Sequence, residues 1–334
     1  MGRMSLPEAY ALVKKSIVAF VPKYLPLVKQ DDPHPPFPPI FGTGFIVRED
    51  GLIVTNDHVV RVITQLFKPP GVSDNWPVIA LLLHLTDKGI IEMPLEVLGV
   101  FMIQKFEPKG TYYGPKKPDI AFVHVKAKGL PFLEIDDSFR LCEGIEVATA
   151  GFPMGSTALT APGWLHQMTP TLQRGIISAV LPFACGAPHG FAINVMAQGG
   201  ASGSPVFLPS SGKVLGVLYA GLNDIGETTK KDIYRLPTNI SYVVPAHLIA
   251  AAFRKIKEYP EMVAPKDTQS LDEIIKGATL VNRFEKGSEY TVKEIRPPLP
   301  DEEGERKLKK LDFKAANSSD MLPDSGGQSL NATR

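Results

Sequence analysis

"FGTGFIVREDGLIVTNDHVV", residues 41–60, holds two apolar β-forming runs parted by the turn Arg-Glu-Asp-Gly. Such runs on either side of a glycine-bearing turn read as a β-hairpin. The second run carries His58 near its end, where an anchored strand can aim a side chain into a cleft. Working outward, the same signal recurs along the chain. "SIVAFV" (16–21) precedes the hairpin. After it come "VIALLLHLTDKGIIEMPLEVLGV" (78–100), two strands joined by Thr-Asp-Lys-Gly, and then "DIAFVHV" (119–125) and "EGIEVATAGFP" (143–153). "TLQRGIISAVLPF" (171–183), "FAINVMA" (191–197), "SPVFLPSSGKVLGVLYAG" (204–221) and "ISYVVP" (240–245) complete the series. Short strands with turn chemistry between them predict an all-β, antiparallel, closed or sandwiched architecture.

Helix is expected in few places. "SLPE" at 5–8 has the form of a capping box, Ser5 to Glu8, opening a short helix to about Lys15. In "PAHLIAAAFRKIKEY" (245–259), Leu248, Ala251, Ala252 and Ile256 fall at helical spacing, so a helix closes the β core. "SLDEIIKGA" (270–278) predicts one more short helix. "DDPHPPFPPI" (31–40) reads as an extended proline-rich loop, and residues 66–77 and 106–118 as surface loops. From Lys286 the chain is charged and polar, with few groups to bury, and a disordered tail is expected. The division expected is a core domain at 1–259, a helical extension at 260–285 and a tail at 286–334.

Bulk properties narrow the function. A net charge of +1 gives no electrostatic case for nucleic acid or an anionic membrane surface as main partner. Two cysteines, Cys142 and Cys185, exclude a disulfide framework and leave a single bridge open. No metal-binding pair such as Cys-x-x-Cys occurs, so no metal is expected. No apolar stretch near the start is long enough to span a membrane. "MGRMSLPEAYALVKK" has no basic region followed by a long apolar run and a cleavage site. Gly2 does not read as a myristoylation site, since Leu6 stands where Ser or Thr is required. A reducing, cytoplasmic setting is therefore expected.

Chemistry is suggested by "MAQGGASGSPVF" (196–207), where small residues surround Ser202 and leave its hydroxyl approachable. Serine becomes a nucleophile only with a base, a group that orients the base, and donors for an oxyanion. His58 is the candidate base. Asp119 opens the strand "DIAFVHV", and a carboxylate buried there needs a partner such as an imidazole N–H. His124 alternates with core residues and reads as structural. His34, His84, His166, His189 and His247 have no context that singles them out. The chain order His58, Asp119, Ser202 is that of chymotrypsin-type proteases. An esterase elbow, Gly-x-Ser-x-Gly, fails at Ser204.

With these motifs in order, the chain resembles the trypsin/chymotrypsin-fold serine proteases, nearest their HtrA-like branch, over about residues 16–255. "FGTGFIVREDGLIVTNDHVV" is similar to that branch's catalytic-histidine segment, "DIAFVHV" to its aspartate strand and "GGASGSPVF" to its serine motif. "EGIEVATAGFPMG", "LQRGIISAV", "GKVLGVLYAG" and "ISYVVPAHLI" are similar to the intervening and closing strands and the final helix. The resemblance implies two six-stranded antiparallel barrels with a short N-terminal and a C-terminal helix. It implies a serine endopeptidase without cofactor, acting on polypeptide through His58, Asp119 and Ser202. The oxyanion donors would be the N–H groups of Gly200 and Ser202. Met196 would lie at the base of the first substrate pocket, with Tyr219, Ala220 and Gly221 as its wall. Nothing acidic lies at that base, so small or medium aliphatic side chains are expected there. The resemblance leaves homo-oligomerisation open. Three features depart from the branch: Asp57, which could perturb His58; Ser204 in place of glycine; and a C-terminal region too short and polar for a PDZ domain. The competing reading is a catalytically silent or ligand-switched domain that binds protein.

Overall fold

The computed structural model describes residues 3–24, 39–73, 75–86, 89–108, 110–153, 169–227, 233–256, 268–278 and 280–283. The described residues all belong to one compact unit, which ends at Phe284. The expected disordered tail lies outside the described residues, as do His34, His166 and most of the proline-rich loop.

The alternation of side chains along a strand explains why so many runs are apolar throughout. In β1 (Ile17–Pro22), Val18 and Phe20 point into one core, and Ile17, Ala19 and Val21 into another. A strand buried on both faces has no polar positions to alternate with. β1 pairs with β2 (Gly42–Arg48) and β4 (Val78–Thr86). β2 pairs with β3 (Leu52–Thr55), and β3 with β6 (Ala121–Val125). β5 (Gly89–Met102) is long enough to pair with β4 over its first part and β6 over its last, with a register shift between Val97 and Gly99. Those pairings close the ring β5-β4-β1-β2-β3-β6. β7 (Ala127–Lys128) follows directly.

The second barrel has the order β10-β13-β12-β11-β8-β9. Its strands are β8 (Glu146–Gly151), β9 (Thr171–Leu181), β10 (Gly190–Ile193), β11 (Pro205–Phe207), β12 (Val214–Glu227) and β13 (Ile233–Pro245). Its interior is filled by Val147, Ile177, Phe191, Ile193, Val206 and Leu218. Closure leaves neither barrel a bare edge. The architecture is therefore the two six-stranded antiparallel barrels implied by the resemblance. Between them runs a continuous apolar layer, with Phe45, Val54 and Phe122 from the first barrel against Phe152, Phe207 and Val217 from the second.

Helices cap this layer. α1 (Leu6–Val13) starts at the expected box, where the Ser5 N–H donates to Glu8 Oε2 at 2.7 Å, and it buries Ala9 and Val13. α3 (Ala246–Ile256) follows β13 and buries Ile249 and Ile256 in the same layer. One strand ends earlier than its sequence suggests. The apolar run 52–60 stops at Thr55, and Asp57–Ile63 form a helix, α2. Asn56 supplies the extended cap residue, Asp57 lies in the first turn, and Val59, Val60 and Ile63 face the first barrel's interior. His58 thus stands in the first turn of a helix.

Beyond α3, β14 (Gln269–Ser270) lies parallel to β7, and α4 (Leu271–Gly277) follows with its own Ser270–Glu273 box. β15 (Leu280–Arg283) pairs with the start of β5. Leu271, Ile274 and Ile275 pack on the first barrel's core.

Candidate active site

Two sequence-predicted residues meet directly. Pro118 lies on the approach to β6, and Asp119, two residues before that strand, reaches across to α2. Its Oδ2 lies 2.6 Å from His58 Nδ1, and its Oδ1 accepts the His58 backbone N–H at 3.1 Å. One carboxylate thus holds both the ring and the main chain of His58. Its side chain is 19% exposed against 47% for His58, so the acid is the sheltered partner and the imidazole the accessible one. Asn56 donates from Nδ2 to the Asp119 carbonyl at 2.8 Å, tying the helix start to the same residue. Asn56 Oδ1 is buried with no partner among the described residues.

Asp57, expected as a possible disturbance of His58, turns away from it. Its carboxylate accepts from Arg61 Nε at 2.6 Å and from Lys117 Nζ at 2.9 Å. Burial pushes this carboxyl up, but the two cations outweigh it and hold it below the usual carboxylate range. Lys117 also donates to the Ile103 carbonyl at 2.8 Å. The pair therefore fastens α2 to the loop that delivers Asp119.

Ser202 comes from the second barrel, on the loop between β10 and β11. Its carbonyl accepts the Thr43 N–H at 2.8 Å, and the Thr43 carbonyl accepts the Thr55 hydroxyl at 2.8 Å. Thr55 ends β3, three residues before His58. Gly203 makes this approach possible. It sits at φ +89°, and a Cβ there would collide with the Thr43 carbonyl oxygen. Gly200 has φ +88° in the turn closed by the Ala201 N–H to the Gln198 carbonyl at 3.0 Å. Neither the Gly200 nor the Ser202 N–H has an acceptor among the described residues, and the Ser202 hydroxyl has no hydrogen-bond partner there. The structure brings His58 and Asp119 into contact and stitches the Ser202 loop beside them. It leaves the His58–Ser202 hydrogen bond open.

Ser204 fits where glycine was anticipated. Its hydroxyl donates to the Ala201 carbonyl at 2.6 Å, in space left free by Gly151, where a Cβ would overlap it. The predicted pocket residues also lie together. A Cβ on Gly221 would come 3.0 Å from the Ala197 carbonyl oxygen, so the 196–198 and 219–221 segments face each other closely. Gln198 Nε2 lies 3.3 Å from Met196 Sδ. Met196 borders a small cavity with Thr149, Ala201, Ser204 and Leu218. Burial, and then the Asp119 and Tyr242 charges, push the pKa of the Tyr219 hydroxyl up. The sequence reading missed Thr43, Thr55 and Lys117, whose partners are far away in the chain. Among the described residues, no group of three His, Cys, Asp or Glu is arranged to hold a metal.

Residues 42–217 match the family model described as a trypsin-like peptidase domain. A protein of Halomonas elongata named "Probable periplasmic serine endoprotease DegP-like" is 30% identical over 176 residues, 53% of this chain and 28% of that protein. A protein of Chlamydia muridarum with the same name is 33% identical over 122 residues, 36% of this chain and 18% of that one. The chain thus spans between about a fifth and just over a quarter of the curated relatives it matches. A solved structure titled "HtrA-type protease AlgW with decapeptide" covers 76% of this chain and 68% of its own, at 16% identity and a TM-score of 0.47. The relatives' names overturn the cytoplasmic expectation, because they place those proteins in the periplasm. That expectation rested on the first residues of the chain, which carry no information about where the relatives act. No helix among the described residues is long and apolar enough to cross a membrane.

Proposed function

The chain belongs to the trypsin-like peptidase domain family, and from that premise we propose that it is a serine endopeptidase of the HtrA type, working outside the cytoplasm on polypeptide substrates. The observation that carries this reading is the two-point grip of Asp119 on His58 beside the stitched Ser202 loop. Ser202 attacks the scissile carbonyl. His58 takes the hydroxyl proton and later delivers it to the leaving amine, while Asp119 holds the tautomer with Nε2 free and stabilises the imidazolium. The N–H groups of Gly200 and Ser202 stabilise the tetrahedral oxyanion. Water then repeats the sequence on the acyl-enzyme. Met196, Tyr219, Ala220 and Gly221 shape the first substrate pocket, and its apolar, acid-free base favours small or medium aliphatic side chains. Catalysis belongs to the 1–259 domain, with 260–285 as an extension and 286–334 as a tail.

A second reading is favoured by one observation, the open contact between His58 and the Ser202 hydroxyl. In that reading the domain is silent until a ligand or a change of assembly closes the triad. Labelling by a fluorophosphonate probe separates the two. Labelling of wild type that is abolished in Ser202→Ala and His58→Ala supports an active peptidase. A folded wild type that never labels, with or without added peptide, sinks it.

A further inference from the structure

Three consecutive carbonyls of the loop around Ser202 are held from the inside of the molecule. The Gly200 carbonyl accepts from the Thr43 hydroxyl at 2.7 Å, the Ala201 carbonyl from the Ser204 hydroxyl at 2.6 Å, and the Ser202 carbonyl from the Thr43 N–H at 2.8 Å. Thr43 is fully buried and Ser204 is 1% exposed. Every polar group of Thr43 is used. Its hydroxyl also accepts the Phe152 N–H at 3.0 Å, and its carbonyl accepts the Thr55 hydroxyl. A Cβ on Gly151 would overlap the Ser204 hydroxyl and come 2.9 Å from the Thr43 hydroxyl, so the absence of a side chain there makes room for both.

In a planar trans peptide the C=O and the following N–H point in opposite directions. A bond that turns the Ala201 carbonyl inward therefore turns the Ser202 N–H outward. The bonds to the Gly200 and Ser202 carbonyls fix the peptide planes on either side of it. We propose that Thr43 and Ser204 are positioning residues, a buried pair of hydroxyls that holds loop 200–203 in the shape its chemistry needs. They act through the backbone and touch no substrate. Thr43 belongs to the first barrel and the loop to the second, so the clasp also sets the distance between the nucleophile and its base. Ser204, which replaces glycine, adds a second bond to a carbonyl that its own N–H already reaches at 3.1 Å. This inference rests on the assignment of Ser202 as nucleophile.

The test compares Thr43→Val, Thr43→Ser and Ser204→Gly in the full chain. With a peptide substrate, Thr43→Val is expected to lower kcat about 10- to 100-fold with KM nearly unchanged, and to slow fluorophosphonate labelling in parallel. Thr43→Ser, which keeps the hydroxyl, is expected to restore most of the rate. Ser204→Gly is expected to lose less, about 3- to 10-fold. A folded Thr43→Val variant with wild-type kcat overturns the proposal. Amide hydrogen exchange at Ala201, Gly203 and Ser204, in a Ser202→Ala background, reads the clasp without using activity. Faster exchange in Thr43→Val or Ser204→Gly supports it, and unchanged exchange in both overturns it. If the wild type neither labels nor cleaves but exchange accelerates, the clasp stands and the nucleophile assignment fails.

Discussion

The two oxygens of Asp119 go to different parts of His58, one to the ring and one to the main chain. An amide in that place would keep the shape but present an N–H where an acceptor is needed, and so favour the wrong tautomer. Asp119→Asn is therefore expected to lower kcat by about 10⁴ while leaving KM and the melting temperature close to wild type, as steady-state kinetics and calorimetry would check. His124 makes an opposite use of an imidazole. It is buried under the β2–β3 turn, with Nε2 3.0 Å from the Asp50 carbonyl and the Asp50 carboxylate 3.9 Å away. Burial holds its pKa below the usual value, with the Asp50 carbonyl and charge opposing and Arg48 adding to the shift. The unfolded chain therefore takes up a proton at His124 before the folded chain does. This share of stability is present above about pH 6.5 and falls as the pH drops below it. His247 is lowered by burial in the same sense. Melting temperature against pH should fall on acidification, less steeply in His124→Gln than in wild type. Equal slopes would show that His124 is not the source.

At the scale of elements, α2 shows what a short helix needs when propensity does not favour it. Val59, Val60, Val62 and Ile63 are β-formers, yet the segment is helical. The Asp57–Arg61 pair, the Asn56 bond to the Asp119 carbonyl and the burial of three side chains in the barrel outweigh propensity. This is why the helix was illegible in the sequence while the strands around it were clear: β-formers stand on both sides of the polar residues 55–58, and the contacts with Asp119 and the barrel interior, which the pattern does not show, help decide where the strand stops. The grouping of Asp119 with His58 was legible from chain order and family motifs. Thr43 was not, because its partners are the backbone atoms of Gly200 and Phe152, 157 and 109 residues away, and such atoms leave no trace in side-chain pattern. The Asp57–Lys117 contact joins α2 to the loop before Asp119. Lys117→Met should loosen that join and lower kcat several-fold with little change in KM. Because the Asp57 carboxyl is held low, its contribution is present above its unfolded pKa and is lost as the pH falls through the folded one. Lys117→Met should therefore lose stability relative to wild type at neutral pH, and the gap should close in acid. A constant gap across pH would contradict this.

For the whole molecule, the decisive feature is the shared apolar layer between the barrels. Phe45 and Phe207 are both fully buried in it, one from each barrel. Truncating either to alanine removes contacts on both sides and should cost about 3–5 kcal/mol. Because the layer is continuous, the loss should appear in one cooperative transition. Hydrogen exchange under mild urea should show both barrels losing protection together in Phe45→Ala, and separate transitions would show that the barrels are energetically independent. The same division of labour has a consequence in time. A nascent chain that has emerged through β6 carries His58 and Asp119 but not Ser202, which follows only after roughly 4–15 s of further synthesis. Even then the loop meets Thr43 only once the second barrel has closed against the first. The site as proposed is thus complete only once both barrels have formed and met.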